Sequence, residues 1–426
     1  MTQIKIPYAK KQLAIEIPDD KLLGVLESRV NHFVPNISQE EIVIQALDNP
    51  IGSPKLEELV KEKKDMVIIT SDHTRPVPSK ITMPIILDRI RKANPHIEIK
   101  ILIATGFHRA TTREELIDKF GEAIVLNENI IVHDSTDQSS LVKVGILPSG
   151  GELWLNKLAM ETELLMAEGF IEPHFFAGFS GGRKSVLPGI AGAETVLANH
   201  CSEFIASENA RTGNYVNNPI HIDMMYAAKE AKLAFILNVI LNEEKKIIHG
   251  VAGDSKLAHE AGCDFLLDLS KVEKKEADIV ITTNGGYPLD QNIYQTVKGM
   301  TAAEASCKNG GVIIIASACN DGHGGKSFYE NMAHASGPEE VLEKVLQIPR
   351  DQTIPDQWEF QILARILCKH TVILVTDMCD PQMIKDMHME HAYTVEEALE
   401  RAFQLKGKES KITVIPDGVS VIVKQG

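Results

Sequence analysis

Along the chain, short runs of β-branched and aliphatic residues alternate with segments whose apolar positions recur at helical spacing. The first clear unit predicts a buried strand over 65–70, a polar loop over 71–79 and an amphipathic helix over 81–91. The same plan follows with a strand over 97–104, the loop Thr105-Gly-Phe-His-Arg109, and a helix opened by Thr111 or Thr112 with Glu114 or Glu115 three residues on. That spacing is a capping box, in which a hydroxyl and a carboxylate each satisfy a backbone N–H at the other's position. Further strands are expected over 129–133 and 163–167. The alternation then starts afresh, with a strand over 277–283, a Gly-Gly turn and a helix over 294–307. Strands over 311–316 and 371–376, with helices over 339–346 and 395–403, complete it. Such alternation implies mainly parallel sheets, with ligands beyond the carboxyl ends of the strands. The polar segments after Thr70, Ala104, Ala167 and Thr283 occupy those places.

At roughly 150 residues per domain, 426 residues suggest two or three domains. The charged stretch Lys271-Val-Glu-Lys-Lys-Glu276 marks a boundary, and no internal repeat or low-complexity tract is visible. The expectation is two α/β domains, 1–270 and 271–426, with mainly parallel sheets and an active-site cleft between them. Aromatic residues are only 5% of the chain, so Val, Ile, Leu and Ala must fill the cores.

The formal charge of −15 gives no general attraction to phosphate polymers, and no basic stripe offsets it, so no nucleic-acid partner is expected. Lys61, Lys63 and Lys64 sit among Glu57, Glu58, Glu62 and Asp65 and read as a solvated helix face. No apolar run approaches the ~18 residues that span a bilayer. The first residues lack the basic and apolar regions of a signal peptide. Six cysteines are scattered without CxxC spacing and read as reduced thiols, so a cytoplasmic location is expected.

Candidate chemistry concentrates between Glu168 and Gly192, where glycines, cations and His174 lie among apolar residues. Residues 178–185 read G-x-x-x-x-R-K-S, but Arg183 stands where a phosphate loop requires glycine, which argues against an ATPase. Gly322-His-Gly-Gly-Lys-Ser327 lacks the third glycine of a dinucleotide turn and reads as a tight surface turn. His388 and His391 read as solvated. His108, His174 and His200 each follow a strand end or a glycine-rich segment, and Arg75 and Lys184 are similarly placed. Neutral imidazole there can serve as a general base or a metal ligand. Tyr294 and Lys298 share a helix face by i,i+4 spacing, with Gln295 beside them, near a helix N-terminus that favours anions.

Four motifs together carry a resemblance over essentially the whole chain. They are Ser71-Asp-His-Thr-Arg-Pro-Val-Pro78, Ala104-Thr-Gly-Phe-His-Arg109, Pro173-His-Phe-Phe-Ala-Gly-Phe-Ser-Gly-Gly-Arg-Lys184 and Asn284-Gly-Gly-Tyr-Pro-Leu-Asp-Gln-Asn-Ile-Tyr-Gln295. In this order they resemble the nickel-dependent lactate racemase family. The resemblance implies an isomerase that uses a nickel-pincer nucleotide, pyridinium-3,5-bisthiocarboxylic acid mononucleotide, joined covalently to Lys184. It implies His200 as the protein ligand to nickel, and His108 and His174 as the acid/base pair. Asp72, His73, Thr74 and Arg75 would contact the cofactor, and Arg75, Tyr294, Gln295, Lys298 and Trp358 the substrate, with Gln295 and Lys298 reaching both. The first domain would then carry cofactor attachment and the histidines, and the second would close the pocket. Maturation proteins that make the cofactor are the implied partners, beside a small 2-hydroxy acid; the oligomeric state is left open.

The implied chemistry is coherent. Taking the C2 hydrogen of lactate as a proton places two negative charges together, whereas taking it as hydride while the hydroxyl loses a proton gives pyruvate. Three alternatives stay open at this point. One is another 2-hydroxy acid such as malate on the same scaffold, another a nicotinamide dehydrogenase, and the third a non-catalytic carrier or sensor of a nickel cofactor.

Overall fold

The computed structural model describes residues 1–424. Two six-stranded sheets organise the chain. In the first, the strands run in the order Ile247–Gly253, Leu233–Leu241, Leu165–Phe170, Asp65–Ser71, Glu98–Ala104, Asn129–Val132. Every neighbouring pair is parallel except the edge hairpin made by the first two. The second sheet is parallel throughout, in the order Glu390–Ala392, Thr371–Val375, Cys307–Ala316, Ala277–Thr283, Ile412–Ile415, Leu22–Val25.

The N-terminal residues depart from the expected division. Leu22–Val25 pairs with Ile412–Ile415, and the antiparallel hairpin of Thr2–Tyr8 and Lys11–Ile17 buries Ile4, Ile6, Ile15 and Ile17 against the second sheet. The first part of the segment expected within 1–270 therefore belongs with the C-terminal half. Alternating burial along the hairpin specifies a strand, but nothing local says which sheet it will cover.

Helices cover the sheets where sequence and capping agree. Helix Arg113–Phe120 is opened by the second of the two candidate pairs, with Thr112 and Glu115 exchanging side-chain and backbone hydrogen bonds. Helix Ser79–Ala93 buries Thr82, Met83, Ile86, Leu87 and Ile90, a stripe at helical spacing, on the first sheet. The central core runs from Val67, Ile69 and Leu165 of the first sheet to Val280, Ile313 and Ile315 of the second.

Several strand assignments change, and Leu22–Val25, Ile247–Gly253, Glu390–Ala392 and Ile412–Ile415 also lie outside the expected strands. The strand expected over 163–167 is Leu165–Phe170, all six residues buried. Its charged member, Glu168, reads as a strand end but is carried inside because the hydroxyls of Thr70, Ser79 and Thr82 donate to its carboxylate. Leu233–Leu241 was not among the expected strands; its nearly continuous apolar run has no period to separate strand from buried helix.

Candidate active site

The carboxyl ends of three neighbouring strands in the first sheet, Leu165–Phe170, Asp65–Ser71 and Glu98–Ala104, open into one cavity of about 230 Å³. Helix Ile293–Ser306 and the start of helix Gln357–Leu367, from the other half of the chain, form its far wall. Asp72, Arg75, His108, His174, Lys184, His200, Tyr294, Gln295, Lys298 and Trp358 all line it. Ten sequence-expected residues thus meet in one place.

On the Glu98–Ala104 side, His108 Nδ1 lies 2.7 Å from Asp72 Oδ2. The other carboxylate oxygen of Asp72 accepts from the backbone N–H and hydroxyl of Thr74, at 3.1 and 2.6 Å. Burial pushes Asp72 up, but the hydrogen bonds from His108 and Thr74 and the charge of Arg75 outweigh it, holding the carboxyl below its usual range. An ionised Asp72 can only accept, so His108 carries its proton on Nδ1 and leaves Nε2 as a base. The imidazole is 43% exposed, open to proton exchange with water.

On the Leu165–Phe170 side, the chain turns back through the short pairing of Pro173–His174 with Gly178–Phe179. Gly178 makes that turn possible: its φ is +81°, and a Cβ there would stand 2.5 Å from the carbonyl oxygen of Asn214. His174 Nδ1 accepts from the Ala177 N–H at 3.3 Å, which places the neutral ring's proton on Nε2. Lys184 Nζ lies 3.2 Å from that nitrogen. Burial, then the charges of Lys184, Lys298, Arg75 and His200, hold His174 well below 6.5.

Lys184 sits in the 3-10 turn Gly182–Ser185, so no long helix starts here to cradle a phosphate. Burial and the charges of Arg183, Arg75 and Lys298 hold its amine far below the ordinary lysine range. That shift favours the neutral amine, the nucleophilic form, over the ammonium ion. Arg183, whose mismatch argues against a phosphate loop, is fully buried and donates to the carbonyls of Ala177, Ser180 and Gly181 and to His221 Nδ1. It ties down the loop that presents Lys184.

His200 ends helix Ala193–Asn199. Its Nδ1 is 3.0 Å from the carbonyl of Val196 and must donate, so Nε2 keeps a free lone pair. Burial and Lys184 push the ring down to about 3, which keeps it neutral. A neutral imidazole with one nitrogen pinned to a carbonyl is the arrangement of a metal-ligating histidine. Among the described residues no three His, Cys, Asp or Glu side chains converge on a metal position, so a metal here would draw its other donors from a bound group.

From the far wall, Lys298 Nζ donates to Gln295 Oε1 at 2.6 Å, and Trp358 Nε1 to the Tyr294 hydroxyl at 3.0 Å. The Trp358 ring meets His200 edge-on at 5.2 Å. Burial and the charges of Glu359 and Asp356 raise the Tyr294 phenol well above 10, so it stays protonated.

Several expectations need correction. His73 does not line the cavity: its Nδ1 engages Thr111 at 3.1 Å and faces Glu115 at 3.6 Å. Thr74 also stays outside and acts through Asp72 and His108. The N-terminus of helix Ile293–Ser306 offers no free N–H groups to an anion, because Gly322 O, His323 O and Asn292 Oδ1 accept from Ile293, Tyr294 and Gln295. The glycine turn at 322–327 thus caps this helix. His388 and His391 engage the carbonyls of Met332 and Thr376. Sequence reasoning missed Glu168 and Glu359, both buried and both lining the cavity. A charged residue in a strand or helix gives no local sign that it faces inward.

The chain is similar to known proteins along its whole length. The family profile described as lactate racemase N-terminal domain matches residues 8–213, and that of the lactate racemase C-terminal domain matches residues 272–423. Lactate racemases of Thermoanaerobacterium thermosaccharolyticum and Lactiplantibacillus plantarum are 58% and 57% identical, with all of each chain covered. The solved structure of the T. thermosaccharolyticum lactate racemase apoprotein superposes with a TM-score of 0.97 at 57% identity, covering 100% of both chains. A crystal structure of a Thermotoga maritima protein, 18% identical, covers 91% of this chain and 99% of its own with a TM-score of 0.65, a likeness of fold alone.

Proposed function

Because this chain belongs to the lactate racemase family, an isomerase family, we propose that it interconverts L- and D-lactate at the cavity described above. The observation that carries the reading is the pair of histidines in one cavity with opposite proton placement, beside cations suited to one carboxylate. Arg75 and Lys298 bind the substrate carboxylate and stabilise negative charge on the reacting oxygen. His108 Nε2 takes the hydroxyl proton of one enantiomer and gives it back as that enantiomer re-forms, and His174 does the same at the opposite face for the other enantiomer. Phe176 and Trp358 wall off the recess and limit its water.

The residues present suit the nickel-pincer nucleotide. Burial favours Lys184 as the neutral amine that a covalent thioamide link requires, and His200 offers the free imidazole nitrogen that would complete the nickel coordination. When bound, the electron-poor pyridinium–nickel group supplies an acceptor for hydride, so C2 is never left as a carbanion. Separate maturation proteins would provide it. Glu359 adds a carboxyl group to the wall that holds Lys298, which favours lactate over a dicarboxylate such as malate.

Peptide mapping of active, nickel-loaded protein tests the attachment. Every active preparation should carry an adduct on Lys184, and Lys184→Ala should fold but carry none and racemise nothing. Full activity with Lys184 unmodified would end the proposal.

A further inference from the structure

Glu168 is buried in the cavity wall, 1% exposed, and the acid/base scheme above gives it no part. Buried carboxylates are costly unless they are well bonded, and the bonds of this one come from three hydroxyl groups. Thr70, its direct neighbour across the strand pairing, donates to Oε2. The hydroxyl of Ser79 lies 2.9 and 3.2 Å from the two carboxylate oxygens, and that of Thr82 donates to Oε1 at 2.5 Å. Three donors on two oxygens suit a group that only accepts, the ionised carboxylate. The first turn of helix Ser79–Ala93 favours the same charge, since a helix start attracts anions and its N-cap, Pro78, makes no side-chain bond.

The three hydroxyls bracket a segment of chain. Thr70 stands where strand Asp65–Ser71 leaves the sheet, and Ser79 and Thr82 lie in the first turn of helix Ser79–Ala93. Between them runs the loop 71–78, with Asp72 and Arg75 in it. One carboxylate thus ties the loop at both ends. A second strut is Lys119 of helix Arg113–Phe120, itself buried, whose Nζ donates to Ser71 Oγ at 3.3 Å. Within the loop, the Asp72 oxygens divide between His108 Nδ1 and Thr74. We propose that Glu168 is a positioning residue: by pinning both ends of the 71–78 loop it fixes Asp72 against His108 and Arg75 in the cavity wall. Its carboxylate is saturated by the three hydroxyls, so it acts through the loop and not on the substrate.

The kinetic consequence rests on the racemase reading of the site. Glu168→Gln is nearly isosteric but offers one acceptor oxygen instead of two and sets an NH2 group among three hydroxyls. With the loop loosened, kcat/KM for lactate should fall by up to about 100-fold, the scale of a small misplacement of reacting groups. Both parameters should change: kcat falls as His108 loses its orientation, and KM rises as Arg75 loses its place. Thr70→Val opens one end of the clamp and Thr82→Val the other, and each should cost part of the same loss if Glu168→Gln does not fold. Adding Thr70→Val to Glu168→Gln should cost little more, because hydroxyl and carboxylate act as one unit. Val43→Ala, in the buried face of helix Gln39–Asp48 and outside the cavity lining, should lower stability and leave kcat and KM as they are. Losses that multiply in full when Thr70→Val and Glu168→Gln are combined would overturn the assignment.

A second readout needs neither substrate nor cofactor. The ring nitrogen shifts of His108 in the unloaded protein, measured by NMR with labelled histidine, report which nitrogen carries the proton. Wild type should show His108 protonated at Nδ1, held there by Asp72. In Glu168→Gln, or in Thr70→Val and Thr82→Val, that signature should give way to a mixture of tautomers, while His174, held by the Ala177 N–H, keeps its own. Val43→Ala should match wild type. A His108 signature unchanged by loss of the carboxylate or of the hydroxyls, or disturbed as much by Val43→Ala, would overturn the assignment. A chain that never racemises lactate would overturn the racemase reading, and the His108 tautomer would still decide the role of Glu168.

Discussion

His108 and His174 follow the two strands that flank Asp65–Ser71, and they reach one cavity with the same side chain, yet their surroundings are opposed. His108 donates through Nδ1 to an ionised Asp72 and is partly open to water. His174 accepts a backbone N–H, stacks against Phe175 and faces the Lys184 amine, with Arg75 and Lys298 also acting on it. Nε2 of His108 thereby carries a lone pair and Nε2 of His174 a proton. Residue type does not determine the tautomer; the group bonded to the far ring nitrogen does.

The strongest way to break this comparison is to remove each ring. His108→Ala and His174→Ala should each lower turnover by roughly 10²- to 10⁴-fold while nickel content is kept, whereas His200→Ala should lose nickel. Metal analysis beside an enantiomer assay separates the two classes, and equal nickel loss in all three would erase the distinction. Since the lactate enantiomers are equal in free energy, kcat/KM must fall by one factor in both directions. The asymmetry between the histidines should therefore appear in kcat and KM taken separately.

A smaller effect sharpens the His108 side alone. Asp72→Asn keeps the shape but lets the far nitrogen of His108 meet an amide in either tautomer. Turnover should fall by about 10- to 100-fold, as for other outer partners of functional histidines. A loss as large as that of His108→Ala would give Asp72 a direct part in the reaction.

A separate effect belongs to the His174 side and needs no substrate. His174, His200, His221 and His259 are all held below 6.5 by burial first and nearby cations second. Unfolded, each takes up a proton near pH 6.5, whereas folded His200 and His221 wait until about 3. Their contribution to stability is thus complete above pH 6.5 and is lost as pH falls through that window, by up to about 1.4 kcal/mol per pH unit for each. Urea unfolding of the unloaded protein between pH 7 and 5 should show this decline, and His221→Asn should flatten it. A midpoint constant over that range would contradict the buried, neutral assignment.

Much of this arrangement could be read from sequence where local chemistry was decisive. Thr112 and Glu115 declare a helix start, and the segments holding His108, His174 and Lys184 declare a site. What escaped depends on long-range contacts. Glu168 ends a strand by composition but continues it once three hydroxyls from residues 70–82 reach its carboxylate. The hairpin at residues 2–17 shows alternation without showing its destination. His73 sits in the right motif yet faces Thr111, because position in a loop does not fix the direction of a side chain.

The central claim is that the histidines handle the hydroxyl proton and never the hydrogen on C2. Racemising one lactate enantiomer with loaded protein in deuterium oxide, then measuring deuterium at C2 of the product, tests it directly. His108 and His174 exchange their ring protons with solvent, so a two-base proton mechanism would write deuterium onto C2 at each inversion. Transfer as hydride keeps the original hydrogen on carbon, and the account predicts product with little deuterium at C2. Deuterium at C2 in nearly every product molecule would contradict it.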